Sequence, residues 1–176
     1  MADFAHGNTI GPAQVAALLV LVQRGLEELH SRRNTRALIA KGAVEAGRSY
    51  YPVVAAAHLA WIASIFFLIS ADAPVIWPLL MIYLLLQIVR YWAIRTLGRY
   101  WTHRIITVHD APVVKVGPYR LLKHPNYAVT LAETLLLPSV FGAFALGVIM
   151  TAVWAAVIGY KIELEDAALA ERRSGA

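Results

Sequence analysis

The chain of 176 residues is 59% hydrophobic and only 15% charged, with a mean hydropathy of +0.58. A soluble domain of this size could not bury so much apolar surface, which excludes a soluble enzyme, a disordered tail and a collagen-like chain and leaves a polytopic membrane protein. The absence of cysteine excludes disulfides, thiolate metal sites, iron–sulfur clusters and thiol nucleophiles, and the net charge of +5 matters mainly through its placement.

Ile10–Val22 is the first apolar run, and it must extend toward Leu29 to span a bilayer. It is not expected to be a signal peptide, because Met1–Thr9 carries Asp3 and no Lys or Arg. Val53–Ala71 is 19 residues whose only polar members are His58, Ser64 and Ser70, long enough to cross a core of roughly 30 Å. Asp72-Ala73-Pro74 separates it from Ala73–Val89, which continues to Ile94 if Arg90 snorkels to the interface. Asn126–Tyr160 is 35 residues with Glu133 as its only charge. As one helix it would be roughly 52 Å long, so Pro138 and Gly142 predict a break. The expected spans are 10–29, 52–71, 74–94, 126–138 and 142–160, in one domain covering 1–176.

All sixteen Lys and Arg fall in Arg24–Arg48, Arg90–Lys123 and Lys161–Arg173, while Met1–Thr9, Ala71–Pro74 and Leu137–Gly142 have none. The positive-inside rule then predicts an all-α membrane protein of five spans, N-terminus out and C-terminus in, in a cytoplasmic membrane. A basic balance that hugs the membrane argues for lipid contacts and against nucleic acid. An aromatic belt is sufficient for most interfacial Tyr and Trp.

Two cytoplasmic segments, 95–127 and 160–172, are where the sequence places chemistry. Arg104–Val108 and Val113–Val116 flank His109-Asp110-Ala111-Pro112 like a small hairpin. Gly117-Pro118 signals a turn, and Pro125 places His124 where a loop enters the fourth span. Exposed N–H groups at that helix start point into a basic, aromatic pocket. Lys161, Glu165 and Leu169 share one face of a helix leaving the fifth span, able to fold back toward His124.

The segment Gly117-Pro-Tyr-Arg-Leu-Leu-Lys-His-Pro-Asn-Tyr127 resembles the Gly-x-Tyr-x-x-x-Arg-His-Pro-x-Tyr signature of the isoprenylcysteine carboxyl methyltransferase family. Lys161-Ile-Glu-Leu-Glu-Asp-Ala-Ala-Leu169 resembles its Arg-x-x-x-Glu-Glu-x-x-Leu element, and Leu97-Gly98-Arg99 matches a feature upstream. The resemblance covers about residues 75–172. It implies an integral-membrane enzyme that transfers methyl from S-adenosylmethionine without a Rossmann domain, releasing S-adenosylhomocysteine. Carried over residue by residue, it assigns the cofactor to Tyr119, Lys123, His124, Pro125, Asn126, Tyr127 and Glu165, with Val113 and Val114 contributing backbone. Lys123 and Lys161 each stand where the family has Arg, which keeps the charge and loses the bidentate fork. The loop from Arg32-Arg33-Asn34 to Tyr50-Tyr51-Pro52 also resembles a bacterial branch found beside type III polyketide synthases, which implies methylation of hydroxyls on long-chain pyrones or resorcinols.

Two residues are the catalytic candidates. Lys161 would orient a carboxylate acceptor, whereas a weakly acidic hydroxyl would need a base, for which Glu133 inside a span is the candidate. The alternative for Glu133 is a side chain bonded to a neighbouring helix. His58 reads as a packing residue. His103 and His109 lack Cys or a carboxylate at metal spacing, so no metal is expected. The acceptor is expected to be lipophilic and to enter from the bilayer. Phospholipid N-methylation is the alternative reaction, and a non-catalytic lipid-, haem- or quinone-binding protein is the alternative class.

Overall fold

The computed structural model describes residues 10–108 and 114–174, with side chains as far as Ala168. Gly11-Pro12 opens helix α1, Pro12–Ile39, with proline at the first position, where its missing N–H costs nothing. Gln14 turns this end into a clamp. Its side-chain oxygen accepts from the Gly11 N–H at 3.1 Å, and its amide donates to the carbonyls of Phe66 and Ile69 at 3.0 and 2.8 Å. Those carbonyls lie at the C-terminal end of α2, Tyr51–Leu68, where the helix supplies no partners of its own. A turn leads to α3, Trp77–Leu97, and then to a short 3-10 turn, Gly98–Tyr100. Helices α4, Pro125–Val140, and α5, Phe144–Ser174, follow.

Helix α4 packs against α3 and α5, α1 lies on α2, and α2 also touches α5. Trp61 and Ile65 of α2, Ala17 and Val20 of α1, and Leu137 and Val140 of α4 meet in the principal core. Outside it, Leu19, Phe67, Leu85 and Ile88 are each more than 60% exposed. A monomer in water does not display such a surface, and a bilayer accommodates it. Three helical stretches are long and apolar enough to cross a membrane: Arg48–Leu68, Trp77–Tyr100 and Phe144–Ala168.

Helices occupy the five segments expected to span, but among the described residues only those of α2, α3 and α5 are long and apolar enough to cross a membrane, and four further differences appear. Helix α1 runs ten residues past Leu29, to Ile39. Pro138 lies within the last turn of α4 and does not end it; the break comes at Gly142, whose φ of +77° turns the chain into α5. Arg90 does not snorkel. It is 5% exposed, because carboxylates from two other helices surround it. The expected hairpin between 104–108 and 113–116 has its turn and Val113 outside the described residues, and the described part of its first arm pairs elsewhere. Strand β2, Ile105–Thr107, pairs antiparallel with β1, Val44–Ala46, from the loop between α1 and α2, with Glu45 opposite Ile106. Arg104 explains the preference: it donates to Glu45 at 2.6 Å and lies 4.4 Å over the Tyr51 ring.

Candidate active site at the start of the fourth helix

Gly117 fixes how the loop before α4 leaves α3. Its φ is +56°, and a Cβ there would meet the Thr96 hydroxyl at 2.9 Å and the Trp92 indole nitrogen at 3.2 Å. The chain then makes the 3-10 turn Gly117–Arg120 and reaches His124 with φ −130° and ψ 67°, outside the helical region as proline at the next position requires. The His124 carbonyl accepts from the N–H groups of Tyr127 and Ala128. Pro125 is buried as the first residue of α4, and its ring sets the direction in which Asn126 and Tyr127 project.

A cavity of about 410 Å³ opens at this point. The loop and α4 give it Val114, Tyr119, Lys123, His124, Asn126 and Tyr127, and α5 gives it Glu165 and Asp166. Strand β2 and its flanks, Arg104–Val108, form a further wall, with Leu97, Tyr100 and Leu38. Seven of the nine residues expected at the cofactor therefore line one cavity; Pro125 supports it from α4, and Val113 lies outside the described residues.

Glu165 is the electrostatic centre of this cavity. The Tyr127 hydroxyl donates to it at 2.6 Å, Lys161 Nζ is 3.7 Å away, and His124 Nδ1 is 3.9 Å from its other oxygen. The His124 and Tyr127 rings stack at 5.0 Å with 9° between planes. Lys161 also sits 5.0 Å over the Tyr127 ring and donates to the His103 carbonyl at 3.2 Å. Lys123 donates to Asp166 at 3.2 Å, both side chains being exposed. Burial lowers the His124 imidazole below its ordinary value, with Glu165 acting in the opposite direction, and burial raises the Tyr119 phenol. Two buried polar atoms here, His124 Nε2 and Asn126 Oδ1, have no hydrogen-bond partner among the described residues.

Glu133 stands elsewhere. It is eight residues beyond Pro125, about 12 Å further along α4. It is 1% exposed and accepts from Arg24 Nη2 at 2.8 Å, Arg90 Nη1 at 3.2 Å and Gln87 Nε2 at 2.9 Å. Glu27 completes the cluster, bonded to Arg24 at 2.6 Å and twice to Arg90, at 2.9 and 2.8 Å. Two guanidinium groups and two carboxylates thus balance across α1, α3 and α4. Glu133 and Lys161, the two catalytic candidates, belong to separate constellations. His58 packs edge-on to Trp154 at 4.3 Å, as expected of a packing residue.

Sequence reasoning did not find this cluster, nor the cavity wall from β2. The signal for the cluster was present: Arg24, Glu27 and Arg90 in or beside apolar runs need partners, and their charges cancel with Glu133. The wall rests on a pairing between strands of three residues each, which leave too little pattern to detect.

A mostly helical chain with apolar membrane-length helices and a polar cavity where basic loops meet them has the character of a membrane protein with a candidate ligand site at the helix ends. The chain belongs to the isoprenylcysteine carboxyl methyltransferase (ICMT) family, whose profile matches residues 79–171, from α3 through the cavity to the end of α5. It is also 36% identical over 157 residues to the uncharacterized protein YpbQ of Bacillus subtilis (strain 168), a match covering 87% of this chain and 94% of that one. No solved structure matches the chain significantly.

Proposed function

We propose that the protein is an S-adenosylmethionine-dependent O-methyltransferase of a cytoplasmic membrane, acting on a lipophilic acceptor. It would cross five times, with the cavity on the cytoplasmic side. The observation that carries this reading is the pair of orphaned buried atoms, His124 Nε2 and Asn126 Oδ1, beside Glu165 in a cavity of ligand size.

The residues present fit the cofactor's chemistry. The apolar wall of Leu38, Leu97 and Ile105–Val108 suits an adenine ring. Tyr100 and Tyr119 offer ring faces to a sulfonium, whereas the Tyr127 ring is taken up by His124 and Lys161. Lys123 offers a cation to a carboxylate, and Asn126 and Glu165 offer acceptors to amine or hydroxyl groups. When bound, S-adenosylmethionine supplies an electrophilic methyl group. Lys161 and Tyr127 hold Glu165 in place, so that the cavity is ordered before any ligand arrives. The surrounding aromatic and apolar groups exclude water, and alignment supplies most of the advantage in a displacement of this kind.

Glu133 reads as structural. Its two oxygens already accept from three donors, and it is remote from Tyr127 along α4. Among the described residues the cavity offers His124 and Glu165 as bases of modest strength, which suits an acceptor oxygen that ionises readily. A carboxylate of isoprenylcysteine type or an acidic enol of a long-chain pyrone meets that requirement better than a simple phenol. The test is transfer of labelled methyl from S-adenosylmethionine by the purified protein to an isoprenylated cysteine analogue, a long-chain pyrone and a long-chain resorcinol. Label should enter at least one of the first two. Label in a phospholipid amine alone would replace the reading with N-methylation.

A further inference from the structure

On the other side of the α3 exit from the cavity, α1 and α3 leave a groove of about 650 Å³ between them. These helices are not among the pairs that pack closely, and long polar side chains bridge them at the groove floor. Gln23 Nε2 donates to Gln87 Oε1 at 3.0 Å, and Arg90 reaches Glu27 as described. Above this floor, Leu19, Val22 and Leu26 form an apolar wall, each more than 60% exposed and so open to the bilayer.

The cytoplasmic end of the groove is cationic. Arg95 lines it and makes one hydrogen bond, to the Tyr91 hydroxyl at 3.0 Å. His30 stacks on Trp101 at its mouth, and Arg33, exposed, lies one turn further along the same face of α1. Among the described residues neither Arg33 nor Arg95 has a carboxylate partner. Glu27, the one carboxylate lining the groove, is already matched by Arg24 and Arg90.

We propose that this groove binds an anionic phospholipid of the cytoplasmic leaflet, with an acyl chain along the Leu19–Leu26 wall and the phosphate between Arg33 and Arg95. Charge complementarity selects the occupant, because the cytoplasmic leaflet is anionic and the rim offers two cations without carboxylate partners. The groove is not the acceptor's reaction site. Leu97 and Tyr100 face the cavity at the start of α4, Gly98 and Trp101 face the groove, and among the described residues none lines both. Trp101, 4% exposed, stands between them. The bound lipid would tie α1 to α3 beside Asn34, whose amide donates to the carbonyls of Gly98 and Trp101 at 3.0 and 2.8 Å.

The test is native mass spectrometry of the delipidated full-length protein with phosphatidylglycerol and phosphatidylcholine of identical acyl chains. The wild type should retain phosphatidylglycerol in preference. Arg33→Gln and Arg95→Gln should each lower that retention about fivefold and leave phosphatidylcholine unchanged. Leu26→Trp, which fills the wall, should lower both; the arginine variants decide the question if it does not fold. An unchanged thermal unfolding midpoint in the arginine variants shows that they are folded. Equal retention of the two lipids by the wild type, or unchanged phosphatidylglycerol retention in both arginine variants, would overturn the proposal. So would displacement of the lipid by a methylatable acceptor, which would make the groove the acceptor's. None of these readouts needs methyl transfer, so the proposal and the methyltransferase reading can fail separately.

Discussion

The Tyr127 hydroxyl donates to Glu165 at 2.6 Å, and this single bond joins the first turn of α4 to the C-terminal half of α5 across the cavity. Lys161 approaches the same carboxylate oxygen, at 3.7 Å. Tyr127→Phe removes a hydrogen bond to a charged group, a loss of typically 1.5–3 kcal/mol. If Glu165 loses its position as a result, affinity for S-adenosylhomocysteine falls about 10- to 150-fold, measured by calorimetry. Wild-type affinity in Tyr127→Phe would mean that Lys161 alone positions Glu165.

The cluster of Arg24, Glu27, Arg90 and Glu133 should behave as a structural unit. Glu133→Ala leaves two buried guanidinium groups short of charge and should destabilise the protein by about 3–5 kcal/mol. Glu133→Gln keeps the shape and should retain turnover within a few-fold in whatever fraction folds. A folded Glu133→Gln protein whose kcat fell by about 10²- to 10⁴-fold would restore Glu133 as the base.

Acid should weaken the fold in a defined window. Burial holds His124 and His103 below their ordinary value of 6.5, although Glu165 and Glu28 act in the opposite direction. The unfolded chain therefore binds protons at these positions before the folded one does. Their contribution to stability is fully present above pH 6.5 and declines as pH falls through it toward the lower folded values. Thermal unfolding should be flat from pH 8 to 7 and shift downward below 6.5. His124→Asn should show a smaller downward shift. Stability that rises on acidification over this range would contradict the assignment.

Much of this structure was readable from the residues. Apolar runs located the helices because a bilayer demands about 20 apolar residues per span. The His124-Pro125 junction located the cavity because proline fixes both its own φ and its neighbour's conformation. Long-range pairing was less accessible. Nothing near Arg90 in sequence says that Glu27, 63 residues away, would bury it. Likewise nothing in the three residues of β2 says that Val44–Ala46, about 60 residues earlier, would pair with them, a contact that Arg104 and Glu45 reinforce.

The topology has its own test, aided by a chain without cysteine. Single cysteines at Asp72 and Phe144, both exposed, should label from the outer face, and one at Lys115 only from the cytoplasm. Labelling of position 144 from the cytoplasm alone would remove the α4–α5 turn from the outer side and with it the five-span arrangement.

The central claim is that the cavity at the start of α4 holds the methyl donor, and calorimetric titration of the purified protein with S-adenosylhomocysteine tests it most directly. The wild type should bind one equivalent. His124→Ala and Asn126→Ala remove the two orphaned polar atoms, and Glu165→Ala removes the charge beside them. Each should weaken binding, Glu165→Ala by about 10- to 150-fold and the two neutral-group variants by about 2- to 12-fold, while the fold is retained. No binding by the wild type, or wild-type affinity in all three variants, would contradict the account.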